Sequence, residues 1–87
     1  MPRVVFTHLV SDLAHWASKH AERVKVFASW GSNVVDCLGA DGSNNVSVCV
    51  DVHDLSAMQA GLNSPEIAAA KQAHGVLEPL AIYIEKS

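Results

Sequence analysis

Between Asn45 and Asp54 every second residue is a valine (Val46, Val48, Val50, Val52), and Ser47, Cys49, Asp51 and His53 fill the positions between. An extended chain turns successive side chains to opposite faces, so this segment has one wholly apolar face and one polar, ionisable face. A strand of that kind belongs to a sheet whose two sides do different work. One side closes a core, and the other looks into something wetter. In a chain of 87 residues this segment limits the architecture more than any other.

The flanking segments supply the rest of a small α+β domain. Val4 to Val10 reads as a first strand. Ser11 and Asp12 are both good N-caps, and from Leu13 a stripe through Trp16, Ala17, His20, Ala21, Val24, Phe27 and Ala28 has helical spacing. Trp30-Gly31 should end that helix, with Gly31 left-handed. Ser32 to Ala40 reads as a second strand, Asp41 to Asn45 as a hairpin loop, and the valine strand follows. Asp54 caps a short helix through Leu55, Met58 and Leu62 that breaks near Gly61. Ser64-Pro65-Glu66 restarts it, and Gly75 stops it after His74. Leu80 to Glu85 is the last strand.

The order β-α-β-β-α-β predicts a single ferredoxin-like domain over 1–87, a four-stranded antiparallel sheet with two helices on one face. Leu80, Ile82 and Ile84 match the valines and should meet the helices. On the first strand either Val5, Thr7 and Leu9 or Val4, Phe6, His8 and Val10 do so. Both choices leave apolar area on the open face. With 49% hydrophobic and 17% charged residues, such a chain is expected to cover that face with a second copy of itself.

Net charge is −3 and the six basic residues are scattered, which excludes an electrostatic footprint for nucleic acid. Only Lys19, Arg23 and Lys25 come together, near the end of the first predicted helix, where cations suit the dipole. No apolar run approaches the ~20 residues of a membrane span. Met1-Pro2-Arg3 leads into a short, polar-interrupted stretch unlike a secretory leader. Two cysteines without secretory features read as reduced thiols, so a cytoplasmic location is expected. Phosphate loops and nucleophile elbows are absent from the sequence. Cys49 and His53 share a face but lie roughly 13 Å apart along a strand, too far for one zinc. His15, His20 and His74 fall on or near helix surfaces. No metal or cofactor is expected.

His8-x-Val10-x-Asp12-x-x-x-Trp16, Asn44-Asn45 before the valine strand, Asp51, Asp54-Leu55, Ser64-Pro65-Glu66, and Gly75-Val76 with Pro79 occur in this order along nearly the whole chain. In this it resembles the dimeric α+β barrel superfamily, which includes cofactor-free antibiotic-biosynthesis monooxygenases and polyketide-cyclase-like proteins. The resemblance implies a homodimer through the open sheet face and an apolar or aromatic small molecule in each subunit's cavity. It also implies that His8 points into the barrel, with Phe6, Cys37, Ser47 and Cys49 lining the pocket. Relatives often carry an aromatic or aliphatic residue where Ser47 and Cys49 stand, so this lining is smaller and more polar.

Three residues are candidates for catalysis. His8, with a side chain that titrates near neutrality, could act as a general base. Asp51 shares a face with Cys49 and lies on a neighbouring strand, so it could orient the His8 imidazole. Tyr83, alternate to Ile82 and Ile84, could donate a hydrogen bond from the open face. Each has a plainer role: a satisfied buried histidine, a structural polar pair, and interface packing. Trp16 reads as core, and Trp30 as a cover for the cavity mouth. A hairpin symmetric about Ser43 would set Cys37 opposite Cys49 as two buried thiols and turn Asp36 toward the core, unless Gly39 bulges. Two function classes follow: a cofactor-independent monooxygenase- or cyclase-like enzyme, or a non-catalytic ligand-binding or stress-associated dimer.

Overall fold

The computed structural model describes residues 2–86; Met1 and Ser87, at the ends of the span read as one domain, lie outside the described residues. Its elements are β1 (Arg3–Val10), α1 (Leu13–Ala17), α2 (His20–Phe27), β2 (Gly31–Leu38), β3 (Asn45–Val52), α3 (Leu55–Leu62), α4 (Pro65–His74) and β4 (Val76–Ile84). The four strands form one antiparallel sheet in the order β2-β3-β1-β4. This is the ferredoxin-like arrangement, with each helical connection split in two.

The valines behave as their spacing predicts: Val46, Val48, Val50 and Val52 are all buried against the helices. On β1 the open choice is resolved for Val4, Phe6, His8 and Val10: the first three pair with Val50, Val48 and Val46, and all four are buried on that face. Ile82 and Ile84 pair with Phe6 and Val4, so they too lie on the helix face. They remain 42% and 48% exposed, because β4 is an edge strand that the helices do not reach across.

The long first helix is instead two short ones. Asp12 caps α1, its carboxylate accepting from the His15 N–H at 3.0 Å, and Ser18-Lys19 forms a turn before α2. Arg23, seven residues after Trp16, faces inward, and Val24 of the expected stripe is exposed. The second pair follows its predicted punctuation. Asp54 accepts from Ala57, Ser64 from Ile67, and Gly75 takes the left-handed conformation at φ 73°.

Gly31 corrects its expected role. It is not left-handed; it opens β2, and a Cβ there would come within 2.6 Å of Val50 Cγ2. Glycine is needed for close approach, not for its φ. Trp30 is likewise core, its ring 4.8 Å from that of Phe27, and does not wall the chamber described below.

Two bulges set which residues face which way. In β2, Asn33 and Val34 stand against a single β3 position, with Asn33 at φ 54°, a conformation asparagine tolerates. Past the bulge, the hairpin register sets Asp36 opposite Val48 and so toward the helices. In β4 the ladder slips between Thr7↔Ala81 and Leu9↔Leu77, so Glu78, Pro79 and Leu80 lie opposite His8 alone. Pro79 has no N–H for the ladder and suits such a place.

Candidate functional site

An apolar chamber of about 60 Å³ lies between the sheet and the helices. Phe6, His8 and Val48 form its floor, Trp16, Arg23 and Phe27 one wall, and Ile67, Ala70 and His74 of α4 another. Of the pocket residues expected from sequence, only Phe6 and His8 belong to it. Cys37, Ser47 and Cys49 lie on the open face, where Cys37 and Ser47 border a separate groove of about 440 Å³ with Thr7, Leu9 and Ala81.

The His8–Asp51 dyad is corrected. His8 sits opposite Val46 on the helix face, whereas Asp51 sits opposite Arg3 on the open one, and the sheet separates them. Asp51 is instead held by Asn33 Nδ2 at 2.9 Å and faces Arg3 Nε at 3.5 Å. The Asn33 hydrogen bond, then Arg3, keeps its carboxyl below the usual carboxylate range. Tyr83 is on the open face as expected, opposite Val5, and so is also across the sheet from His8. The cysteine register moves by two residues. Cys37 pairs with Ser47 and Val35 with Cys49, because the hairpin is symmetric about Gly42; both thiols are free. Burial, then the nearby Cys37, pushes the Cys49 thiol up.

His8 Nδ1 lies 3.1 Å from the Leu9 carbonyl, which can only accept, so the proton resides on Nδ1 and the lone pair on Nε2. Burial lowers the His8 pKa, and the Arg23 cation adds to this against the opposing pull of the Leu9 carbonyl. A neutral imidazole whose Nε2 has no partner among the described residues therefore borders the chamber. Its ring meets Trp16 edge-on, with centroids 6.1 Å apart.

Sequence reasoning missed the polar cluster in the opposite wall. Arg23 is only 5% exposed. Its Nε donates to Asp36 Oδ1 at 3.2 Å and its Nη2 donates both to Asp36 Oδ2 and to the Trp16 carbonyl at 2.8 Å. Its carbon Cζ stands 4.1 Å above the Trp16 ring, a cation–π contact. Nη1 donates to His74 Nδ1 at 3.3 Å, and a guanidinium cannot accept, so His74 carries its proton on Nε2 and gives it to Glu22 Oε2 at 3.2 Å. His74 is 3% exposed rather than on the surface. The inward turn of Asp36 was legible as an oddity; Arg23 is what satisfies it. A second signal was available in the seven-residue spacing from Trp16 to Arg23.

Burial lowers the pKa of both His8 and His74, for His74 against the pull of the Glu22 hydrogen bond. The unfolded chain, with histidines near 6.5, then binds protons that the folded chain refuses. Stability is expected to fall as pH drops below about 6.5 toward the folded values, with a slope of at most about 1.4 kcal/mol per pH unit for each histidine. Above that range both rings are neutral in both states and the effect vanishes. Thermal melts across about pH 5 to 8 should show this decline, made shallower in His8→Gln. A flat profile would contradict the burial of the two rings.

No family profile and no curated protein matches this chain. Solved structures do. A candidate antibiotic biosynthesis monooxygenase from Bordetella bronchiseptica superposes with a TM-score of 0.78 at 15% identity, over 99% of this chain and 95% of that one. SnoaB, a cofactor-independent oxygenase from Streptomyces nogalater, gives 0.74 at 15% identity over 99% and 93%. A further candidate monooxygenase, from Deinococcus radiodurans, gives 0.66 at 15% identity over 100% and 92%. The chain shares the fold of these structures. At such identities the likeness reaches the fold and stops there, so the chemistry rests on the chamber itself.

Proposed function

We propose that this protein binds a small, largely apolar metabolite in the chamber between sheet and helices and removes a proton from it, as the first step of a cofactor-independent oxygenation. The observation that carries this reading is the neutral His8 with its Nε2 lone pair free at the floor of an apolar chamber. His8 Nε2 takes a proton from a carbon next to a carbonyl, and the bonding pair moves onto the carbonyl oxygen as an enolate. A dry, apolar surround strengthens each polar contact to that anion. Dioxygen then supplies the oxidant: a CH₂ group and O₂ become a carbonyl and water. Asp51 and Tyr83 have no part in this, since both lie across the sheet from His8.

The open face supports pairing with a second copy. Val5, Leu9, Val35, Leu77 and Tyr83 share it, and all but Val5 are well exposed. Apolar area of that kind is commonly covered by association. Sedimentation should give a species of twice the 9.3 kDa chain mass.

Deuterium exchange at acidic C–H positions, followed by NMR, tests the chemistry apart from oxidation. His8→Gln should retain the wild-type fold and lose exchange by on the order of 10²-fold or more. Oxygen consumption should fall with it. If His8→Gln leaves exchange unchanged while compounds still stabilise the protein against heat, the non-catalytic binding dimer is the better description.

A further inference from the structure

We propose that the chamber takes a small carbonyl compound of a few heavy atoms, with Trp16 Nε1 and Arg23 Nη1 as the donors that hold its oxygen, and that it excludes fused aromatic rings. This rests on the reading of the chamber as the ligand site and specifies what that site accepts.

Size is the first argument. The chamber measures about 60 Å³. A protein cavity that takes up benzene measures roughly 150 Å³, and one water needs roughly 10–15 Å³ on this scale. Room exists for about four water-sized groups, fewer than a six-membered ring demands.

Hydrogen-bonding capacity is the second. Trp16 is fully buried, and its Nε1 is the one buried side-chain polar atom without a partner among the described residues. Buried indole N–H groups normally find an acceptor. Of the five N–H bonds of Arg23, four have acceptors: Asp36 twice, the Trp16 carbonyl and His74 Nδ1. The fifth, on Nη1, has none among the described residues. The walls otherwise are apolar, with Phe6, Val48, Ile67, Val76 and Leu80. Two spare donors on one side and a single spare acceptor, His8 Nε2, match a carbonyl oxygen with a short carbon skeleton. A sugar or an amine would leave its own polar groups unmatched. Asp36 already neutralises Arg23, and Lys71 at the rim pairs with Glu78 at 3.4 Å, so the chamber does not demand an anion.

The two indole N–H resonances give a direct readout, with Trp30 as internal control. Titration with acetone and with acetate, at millimolar concentration, separates a neutral from an ionised carbonyl; 2-naphthol tests ring size. At least one of the small carbonyls should shift the Trp16 signal downfield, and 2-naphthol should not. Trp16→Phe, followed by backbone amide shifts, should bind the same probe at least tenfold more weakly. Should that variant fail to fold, Ala70→Leu fills the chamber without touching a polar group and should abolish the Trp16 shift. A Trp16 response to 2-naphthol would overturn the size assignment while leaving the chamber a ligand site; undiminished carbonyl binding in Ala70→Leu would take the ligand out of the chamber and overturn the donor assignment together with the chamber reading. No response to any of the three probes would remove both.

Discussion

Asp36→Ala is expected to destabilise this protein by about 3–5 kcal/mol, because it leaves the Arg23 guanidinium in an apolar wall without its carboxylate. Arg23 is nearly enclosed, and two of its nitrogens are bonded to that one side chain. Remaining contacts with the Trp16 carbonyl and ring hold the cation in place but do not neutralise it. Replacing both partners with apolar residues of similar volume, Arg23→Met with Asp36→Leu, removes the charge and its need together. That double variant should lie well above the single one in stability, and it isolates the penalty of the unpaired charge from the worth of the pair. Urea unfolding of the two variants decides it. A cost below about 1 kcal/mol for Asp36→Ala would mean that water reaches the guanidinium, and the pair would then rank with exposed ones.

Phe27→Ala should cost a similar amount, about 3–5 kcal/mol, through a different cause. Phe27 ends α2, and its ring lies between those of Phe6, at 5.9 Å, and Trp30, at 4.8 Å. It therefore ties the helix to β1 and to the turn that leads into β2. Truncation empties the space between two large rings that sit on separate elements and cannot both close on it. The midpoint in urea should drop with little change in slope. Leu38→Ala, at a side chain 57% exposed, should by contrast stay within about 0.5 kcal/mol of the wild type. Comparable losses at both positions would show that the Phe27 cluster collapses freely around the gap.

The strand faces were open to reading from the residues because strand geometry is local: alternation alone buries the four valines and turns Asp51 and Cys49 away from them. Caps were equally local. Asp54, Ser64 and Gly75 act at the positions where their side chains or backbone freedom suit a helix end. Sequence spacing did not reveal the turn at Ser18-Lys19, since Leu13 to Phe27 keeps a helical rhythm across it. Reading the stripe through Leu13, Ala17 and Val24 rather than through Trp16, Arg23 and Phe27 put Val24 rather than Arg23 on the inner face.

What the amino-acid order determined by itself was the succession of elements, the apolar side of the sheet, and the presence of His8 on a central strand. Tertiary structure alone decided which residues share a site. His8 and Asp51 sit on adjacent strands yet face opposite ways, and only the ladder register reveals it. Arg23, Asp36 and His74 come from α2, β2 and α4, with Arg23 13 residues from Asp36 and 51 from His74. A buried charge must find its counter-charge in space, and the hairpin register that sets Asp36 opposite Val48 is what delivers it.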